Sequence, residues 1–375
     1  MVLEKKGIGN ECHLIGSAPA ENQENKKCAN NKKAIYFRGG RTAHTVTGYL
    51  RQHGIDEEIL YIVDDAYLHS FVRAVPEEMI IPYSVYREKY YDRSVVVYGA
   101  EYYSLKKKLI AQKRVPQEAF YDLGLVFFSG VFLDWNRAFY ERYAAQFQQT
   151  YEMLADRASK DLLEQWINAN LMGDNTVLME ELRTPDQYFN ALTSGRMDTY
   201  IDCGAFDGDS VKAFLACYGT CEQIIAIEPD ENNFKKLQAY LQGLHGISTQ
   251  AFQKGAWSET TVLRFTDHGD MSSSIDEQGA SMLPVMAIDD CDLHGHRASF
   301  IKMDIEGSEL AALHGAEETI RRDQPILAIC AYHRREDLIT IPQWIDRVSD
   351  GCYEYHLRFH GNGYTELVFY AVPKK

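Results

Sequence analysis

The chain has 375 residues, enough for two domains with buried cores and connecting structure between them. Apolar residues at 45% and charged residues at 25% are ordinary for globular chains, which excludes wholesale disorder and fibrous repeats. A net charge of −15 repels a phosphate backbone and an anionic lipid surface, so no nucleic-acid partner is expected.

Residues 1–32 are polar and rich in Asn and Lys (ENQENKKCANNKK), with too few apolar positions to offset the entropy of ordering, and read as a flexible lead-in. Glu4 and Glu11 interrupt any apolar core there, so the segment does not read as a secretory signal and a cytoplasmic location is expected. Residues 33–130 read as a small Rossmann-like α/β domain. A strand begins at Ala34 and meets Gly39 and Gly40, a helix follows with Val46, Tyr49 and Leu50 on one face, and a second strand runs from Ile59 to Val63 before Asp64 and Asp65. Another strand, Ser94 to Tyr98, breaks at Gly99 into a helix carrying Leu105, Leu109 and Ile110. The Leu123 to Trp135 run is too short and too interrupted to span a bilayer, so no membrane span is expected.

Residues 131–189 form a helical connector. Phe139, Tyr143, Phe147 and Tyr151 recur every four residues, followed by Leu154, Leu162, Leu163, Trp166 and Ile167, a spacing that suits core packing better than a cofactor site. The eight cysteines are scattered without paired CxxC spacing and read as reduced thiols.

Residues 190–375 give the strongest signals. TYIDCGAFDG is a buried strand entering a glycine-bearing turn, and the next helix presents Val211, Phe214, Leu215 and Tyr218 on one side. A second strand, Gln223 to Ile227, ends at Glu228, and Asp230 can cap a helix with Phe234, Leu237, Leu241 and Leu244 inward. Strands follow at Ile247 to Phe252, Ser299 to Asp304 and Pro325 to Ala331, the last two separated by one helix, Ser308 to Arg321. After Pro342 come a helix and two strands joined by HGNGY, which favours an antiparallel hairpin. The expected fold is therefore α/β: a doubly wound, mostly parallel sheet ending in an antiparallel hairpin, as in methyltransferases using S-adenosylmethionine (SAM).

Ligands of such sheets bind at the carboxyl ends of the strands, so the first loop indicates the cofactor. Asp202, Gly204, Asp207, Gly208 and Asp209 put three carboxylates within eight residues, which would repel a pyrophosphate but suit a cofactor carrying an ammonium and a sulfonium. Gly204 and Gly208 let the backbone approach the methionine part, and Glu228 can accept both ribose hydroxyls. The alternative makes Asp207 and Asp209 turn and N-cap residues.

YIDCGAFDGDS, AIEPDENNFKKL, FIKMDIEGSELAALHGA and GYTELVFYAVP, in that order and spacing, resemble the FkbM-type methyltransferases. That resemblance implies SAM-dependent methyl transfer, mostly to hydroxyls of sugars and other natural products, so a small-molecule or glycan acceptor is expected. LADRASKDLLEQWINANLMGD and TPDQYF are similar to members with an additional N-terminal α/β domain. Cys203 and Phe206 depart from the small or polar residues common in the family's loop, a difference expected to affect packing more than chemistry.

Lys302, Asp304 and Glu306 alternate onto one face, with both acids emerging at the expected sulfonium. Either Lys302 pairs with an acid and fixes the loop, or Asp304 or Glu306 orients or deprotonates the acceptor. His333, in CAYHRRED, leaves the fifth strand at the same edge and ordinarily titrates near neutrality, which suits a base; His360 is a weaker candidate. Asp304, Glu306, Asp289 and Asp290 form an alternative Mg²⁺ set, against which the Lys302 charge argues, so no metal is expected. GDMSSSIDEQG, residues 269–279, reads as a flexible loop lining the cleft. Two rival functions remain: a nicotinamide or sugar-nucleotide enzyme centred on the first domain, whose RGGRTA lacks the full GxGxxG although Asp64 suits a ribose, and a non-catalytic assembly module.

Overall fold

A computed structural model describes residues 32–36, 60–63, 80–89, 91, 94–97, 137–172, 176–195, 197–266, 274–275, 281–361 and 365–374. Lys32 already belongs to a strand, whereas the lead-in up to residue 31, the RGGRTA loop and its helix, Asp64, the helix after Gly99 and the Leu123 to Trp135 run lie outside the described residues. So does most of the 269–279 segment. The chain divides into two compact units, Met1–Tyr151 with Glu164–Met179, and Glu152–Leu163 with Glu180–Lys375.

The first unit holds a parallel sheet built from β1 (Lys32–Tyr36), β2 (Leu60–Val63), β3 (Ile80–Pro82) and β4 (Ser94–Val97), with helix α1 (Tyr83–Lys89) after β3. Its order is β3-β2-β1-β4, so the chain winds outward from β1 and returns to its other side. Strand β3 and helix α1 were not legible beforehand, because three apolar residues show no period. Helices α2 (Arg137–Arg142), α3 (Ala144–Met153) and α4 (Arg157–Met172) follow, in a stretch that is divided between the two units. Phe139, Tyr140 and Phe147 are buried and meet one another, with the Tyr140 and Phe147 rings 5.1 Å apart. Among the described residues, no helix is long and apolar enough to cross a membrane.

The second unit begins its main sheet at β5 (Thr199–Cys203), followed by α5 (Asp209–Tyr218), β6 (Gln223–Ile227), α6 (Glu231–Gln242) and β7 (Ser248–Phe252). Strands β8 (Gly255–Ala256), β9 (Thr261–Thr266), β10 (Ser274–Ile275) and β11 (Ser281–Met286) then form a separate sheet of order β10-β9-β11-β8. This sheet was unexpected, and it incorporates Ser274 and Ile275 of the anticipated cleft loop by pairing them with Thr266 and Phe265.

The main sheet resumes with β12 (Ala298–Met303), α7 (Glu309–His314), α8 (Glu317–Asp323), β13 (Ile326–Cys330), α9 (Asp337–Val348), β14 (Tyr353–Phe359) and β15 (Leu367–Pro373). Its order is β14-β15-β13-β12-β5-β6-β7, parallel from β13 to β7, with β15 antiparallel between β13 and β14. The expected sheet with its terminal hairpin is therefore present. Strands β5, β6 and β13 are buried along their whole length, the consequence of helices covering both faces of a parallel sheet. Tyr200 stacks on Phe214 at 4.2 Å, with Phe189 and Phe300 meeting both rings, so β5, α5 and β12 share one aromatic core.

Two helix boundaries differ from expectation. The single helix expected from Ser308 to Arg321 is two, α7 and α8, parted at Gly315, where an added Cβ would stand 2.0 Å from the Trp257 carbonyl oxygen. The backbone of the segment after β8 needs that space. Helix α9 starts before Pro342 rather than after it. Proline removes one N–H from the second turn, yet the buried Leu338, Ile341, Trp344, Ile345 and Val348 carry the helix through it.

Candidate active site

Strand β5 runs out at the point where the winding direction reverses, with β12 on one side and β6 on the other, so its loop opens onto the ligand crevice of this architecture. Gly204, at φ 76°, is dictated by that crowding: an added Cβ would lie 1.9 Å from the Asp304 carbonyl oxygen. Gly208, at φ 88°, faces Tyr240 Cδ1 at 2.9 Å from the same construction. Both glycines were expected to make room for a ligand; the structure shows that each already makes room for the protein's own atoms.

Glu228 closes the loop from the β6 side. Its Oε2 accepts the Phe206 N–H and its Oε1 the Asp230 N–H, both at 2.9 Å, and the residue is 6% exposed. Burial raises its carboxyl above the usual range, against those two bonds. Each oxygen retains a second lone pair for an incoming hydroxyl. Phe206 adopts φ 46° and is 50% exposed, so its aromatic ring lies at the surface of the loop rather than in the core. Cys203, by contrast, is fully buried. Asp207 is partly exposed 3.8 Å from Lys212, and exposed Asp209 accepts the Ser210 N–H in the first turn of α5.

Asp202 is not at the surface of this loop but beneath it. Fully buried, it accepts from Ser210 Oγ and pairs with Lys302 Nζ at 3.2 Å. The same ammonium donates to the carbonyls of Gly204 at 2.6 Å and Cys203 at 3.3 Å. Burial alone would lower Lys302, but Asp202 and then Asp304 outweigh it and hold the ammonium above its usual range. Burial raises Asp202, opposed by Lys302 and Ser210. The reading in which Lys302 pairs with an acid and fixes the loop is thus realised with Asp202 as the partner.

Past β12 the chain turns sharply through Asp304, Glu306 (φ 54°) and Gly307 (φ 91°) into α7. Asp304 Oδ2 accepts from Tyr188 Oη at 2.9 Å, and Tyr332 Oη lies 3.5 Å from both Asp304 Oδ1 and Glu366 Oε1. Glu366 also accepts from Gln187. His333, on the segment after β13, is enclosed by carboxylates. Its Nδ1 meets Glu309 Oε1 at 2.8 Å, and its Nε2 faces Asp304 Oδ1 and Glu306 Oε2, each at 3.5 Å.

The electrostatics follow from that enclosure. Burial would lower His333, but Glu309, Asp304 and Glu306 overcome it and push it up to about 10. That lies above the titration near neutrality from which a base role was read for His333, because three carboxylates favour the protonated ring. Burial works to raise Asp304, yet Lys302, His333 and Tyr188 hold it below the usual carboxylate range. Glu306 stands at about 7, raised first by burial and further by Asp304, Glu309 and Glu366, with His333 opposing. Because its side chain is 46% exposed, water screens much of what that shift contributes to stability.

The structure therefore gathers Asp304, Glu306 and His333 at one edge, with Gly204 against the Asp304 backbone. Asp289 and Asp290 are elsewhere: Asp289 caps α8 through the N–H groups of Glu318 and Thr319 at 3.0 and 2.8 Å, and Asp290 accepts from Thr260. His360 braces the hairpin, with Nε2 3.0 Å from Tyr370 Oη and Nδ1 3.0 Å from the Thr184 carbonyl. Sequence reasoning missed Gln187, Tyr188, Glu309, Tyr332 and Glu366. Glu309 and Glu366 stood inside the motifs FIKMDIEGSELAALHGA and GYTELVFYAVP and could have been weighed there; nothing in TPDQYF announces that Tyr188 folds back onto Asp304.

Residues 202–356 match the family model of the methyltransferase FkbM domain. The FkbM methyltransferase of Methylobacillus flagellatus KT shares the fold, with a TM-score of 0.70 and 24% identity over 96% of this chain and 95% of that one. An rRNA methylase from Streptococcus thermophilus aligns over 48% of this chain and 89% of its own at a TM-score of 0.32 and 15% identity. Aeropyrum pernix fibrillarin, solved with natively bound SAM, aligns over 47% and 67% at 0.29 and 13%. No curated protein matches the chain.

Proposed function

We propose that this chain, with an FkbM methyltransferase domain in its second unit, transfers a methyl group from SAM to a hydroxyl of a sugar, glycan or related natural-product acceptor. The observation that carries the reading is the sequestration of Lys302 under the β5 loop while the loop's outer edge stays acidic. The donor set fits SAM: Asp207, Asp209 and Glu228 border the loop, a poor match for a pyrophosphate and a suitable one for an ammonium, a sulfonium and a ribose diol.

In this reading Glu228 accepts from the ribose hydroxyls with its remaining lone pairs, and Asp207 and the Gly204–Gly208 backbone hold the methionine end. Asp202 acts through Lys302, keeping the Gly204 carbonyl in place. SAM supplies an electrophilic methyl carbon. Asp304 and Glu306 stand at the carboxyl edge beside it, where they orient the acceptor hydroxyl and receive its proton; in-line approach and a route for that proton are what the reaction needs. Tyr188 fixes the Asp304 carboxylate, and His333 fixes the charge beside both acids.

Mass-spectrometric screening of neutral sugars and glycans with the full chain and SAM tests this function. A single CH₂ gained by an acceptor, lost in Asp304→Asn, is expected; turnover of a nicotinamide cofactor without any methylated product would overturn it.

A further inference from the structure

The two acids past β12 are held differently, although His333 Nε2 stands 3.5 Å from a carboxylate oxygen of each. Asp304 is committed: its Oδ2 accepts from Tyr188 Oη at 2.9 Å, Tyr332 Oη lies 3.5 Å from its Oδ1, and its side chain is 26% exposed. Glu306 is open. Its side chain is 46% exposed, and its carboxylate accepts no hydrogen bond from any described residue, so its lone pairs face water and whatever enters from it. Its backbone is left-handed at φ 54°, a conformation that residues other than glycine seldom keep and that recurs at functional sites. The ring between the two acids is set from behind by Glu309, fully buried on α7, whose Oε1 meets His333 Nδ1 at 2.8 Å and accepts the Ile305 N–H at 2.9 Å.

We propose that Glu306 takes the acceptor's proton while Asp304 orients the hydroxyl, and that Glu309 is a positioning residue which holds the His333 ring between the two. The assignment rests on the methyl-transfer reading. As the acceptor oxygen gains the methyl carbon and the electron pair of the broken C–S bond returns to sulfur, the hydroxyl proton passes to the Glu306 carboxylate and from that exposed position to water. The charged groups around Glu306 come from every side: Asp304 past β12, Glu309 from α7, His333 and Arg334 after β13, and Glu366 before β15. Arg334 crosses the turn at Gly307, where its Nε stands 3.0 Å from the place of an added Cβ. Burial, then Asp304, Glu309 and Glu366, raise Glu306 to about 7 against His333, which suits a base working at neutral pH.

The test follows the side-chain carboxyl and imidazole carbons of the full chain by carbon-13 NMR without added SAM, and separately the pH dependence of turnover with a neutral sugar methylated in the screen above. One carboxyl titrating near neutrality is expected, absent in Glu306→Gln and present at lower pH in Asp304→Asn. In Glu309→Gln the His333 ring should titrate at lower pH, a shift that a merely structural role would not produce. Turnover should rise with pH through about 7 and then level off. Glu306→Gln should remove that rise and slow turnover about 10²- to 10⁴-fold, and Glu306→Asp should restore both in part. Thermal melts identify any variant that does not fold, in which case Glu306→Gln, a change to a half-exposed side chain, decides. A rise that survives in Glu306→Gln, a neutral titration lost in Asp304→Asn instead, or an unmoved His333 ring in Glu309→Gln overturns the proposal. The expected NMR titrations without any methylated product remove the methyl-transfer reading and the base role with it; methylation with the rise intact in Glu306→Gln removes the base role alone.

Discussion

Lys302 Nζ and Asp202 Oδ1 stand 3.2 Å apart beneath the β5 loop, 3% and 0% exposed, and the lysine reaches on to the Gly204 carbonyl. Breaking a buried pair from one side leaves the other charge uncompensated, at a cost of about 3–5 kcal/mol. Lys302→Met should therefore destabilise the chain by that order in urea denaturation and abolish SAM binding. The double variant Lys302→Met/Asp202→Leu should recover most of the stability without the binding. Equal stability of the single and double variants would remove the pair as the brace of the loop.

Gly204 and Gly246 have nearly the same φ, 76° and 78°, in different surroundings. Alanine at Gly246 meets nothing within 4 Å and should cost only about 1–2 kcal/mol of left-handed strain. Alanine at Gly204 adds an overlap with the Asp304 carbonyl, another roughly 1–3 kcal/mol, and should separate the two loops that form the crevice. Thermal melts and SAM titration of the two variants measure the difference.

Glu228→Ala removes the acceptor of the Phe206 and Asp230 N–H groups as well as the proposed ribose contact. Loss of hydrogen bonds to a charged group predicts weaker SAM binding by about 1.5–3 kcal/mol, and the freed Phe206 amide should exchange faster with deuterium. Unchanged SAM affinity with faster exchange would assign Glu228 to the loop and not to the ribose.

The acid limb of stability should depend on Asp156, which takes Arg358 Nη2, His356 Nδ1 and the Ser159 N–H, each at 2.7 Å. Burial opposes these bonds but loses, and the carboxyl is held well below its ordinary value. A folded pKa below the unfolded one adds stability at pH above the unfolded value, and that stability is lost as pH falls through the folded one. Asp156→Asn should flatten the fall in melting temperature below about pH 4 and leave the difference between pH 6 and 8 unchanged. With a third of the side chain exposed, the effect should be small and reduced by salt.

What could be read beforehand was what has a period or a motif. Long apolar runs such as QIIAI and ILAIC announced buried strands, and TYIDCGAFDG announced the loop. The small β8–β11 sheet escaped because its strands are short and β9 and β11 mix apolar and polar residues, with Val262 and Met282 left 50% and 57% exposed. Gly315 ended a helix for a tertiary reason, the approach of Trp257, that no local pattern carries. In the site, Asp304, Glu306 and His333 were placed together by strand ends alone. The carboxylate behind the His333 ring was not, because Glu309 enters from the adjoining helix. Tyr188 depends on a left-handed backbone at φ 65° and on the Tyr370 hydroxyl 182 residues away, neither of which leaves a mark on the sequence.

Calorimetric titration of the full chain with SAM, S-adenosylhomocysteine and NAD most directly tests the central claim that the acidic β5 loop, braced from below by Lys302, is a SAM site. The account predicts saturable binding of both adenosyl ligands at one site per chain, no heat from NAD, and loss of the SAM signal in Gly204→Ala under conditions where that variant remains folded. Saturable NAD binding with no response to either adenosyl ligand would contradict it.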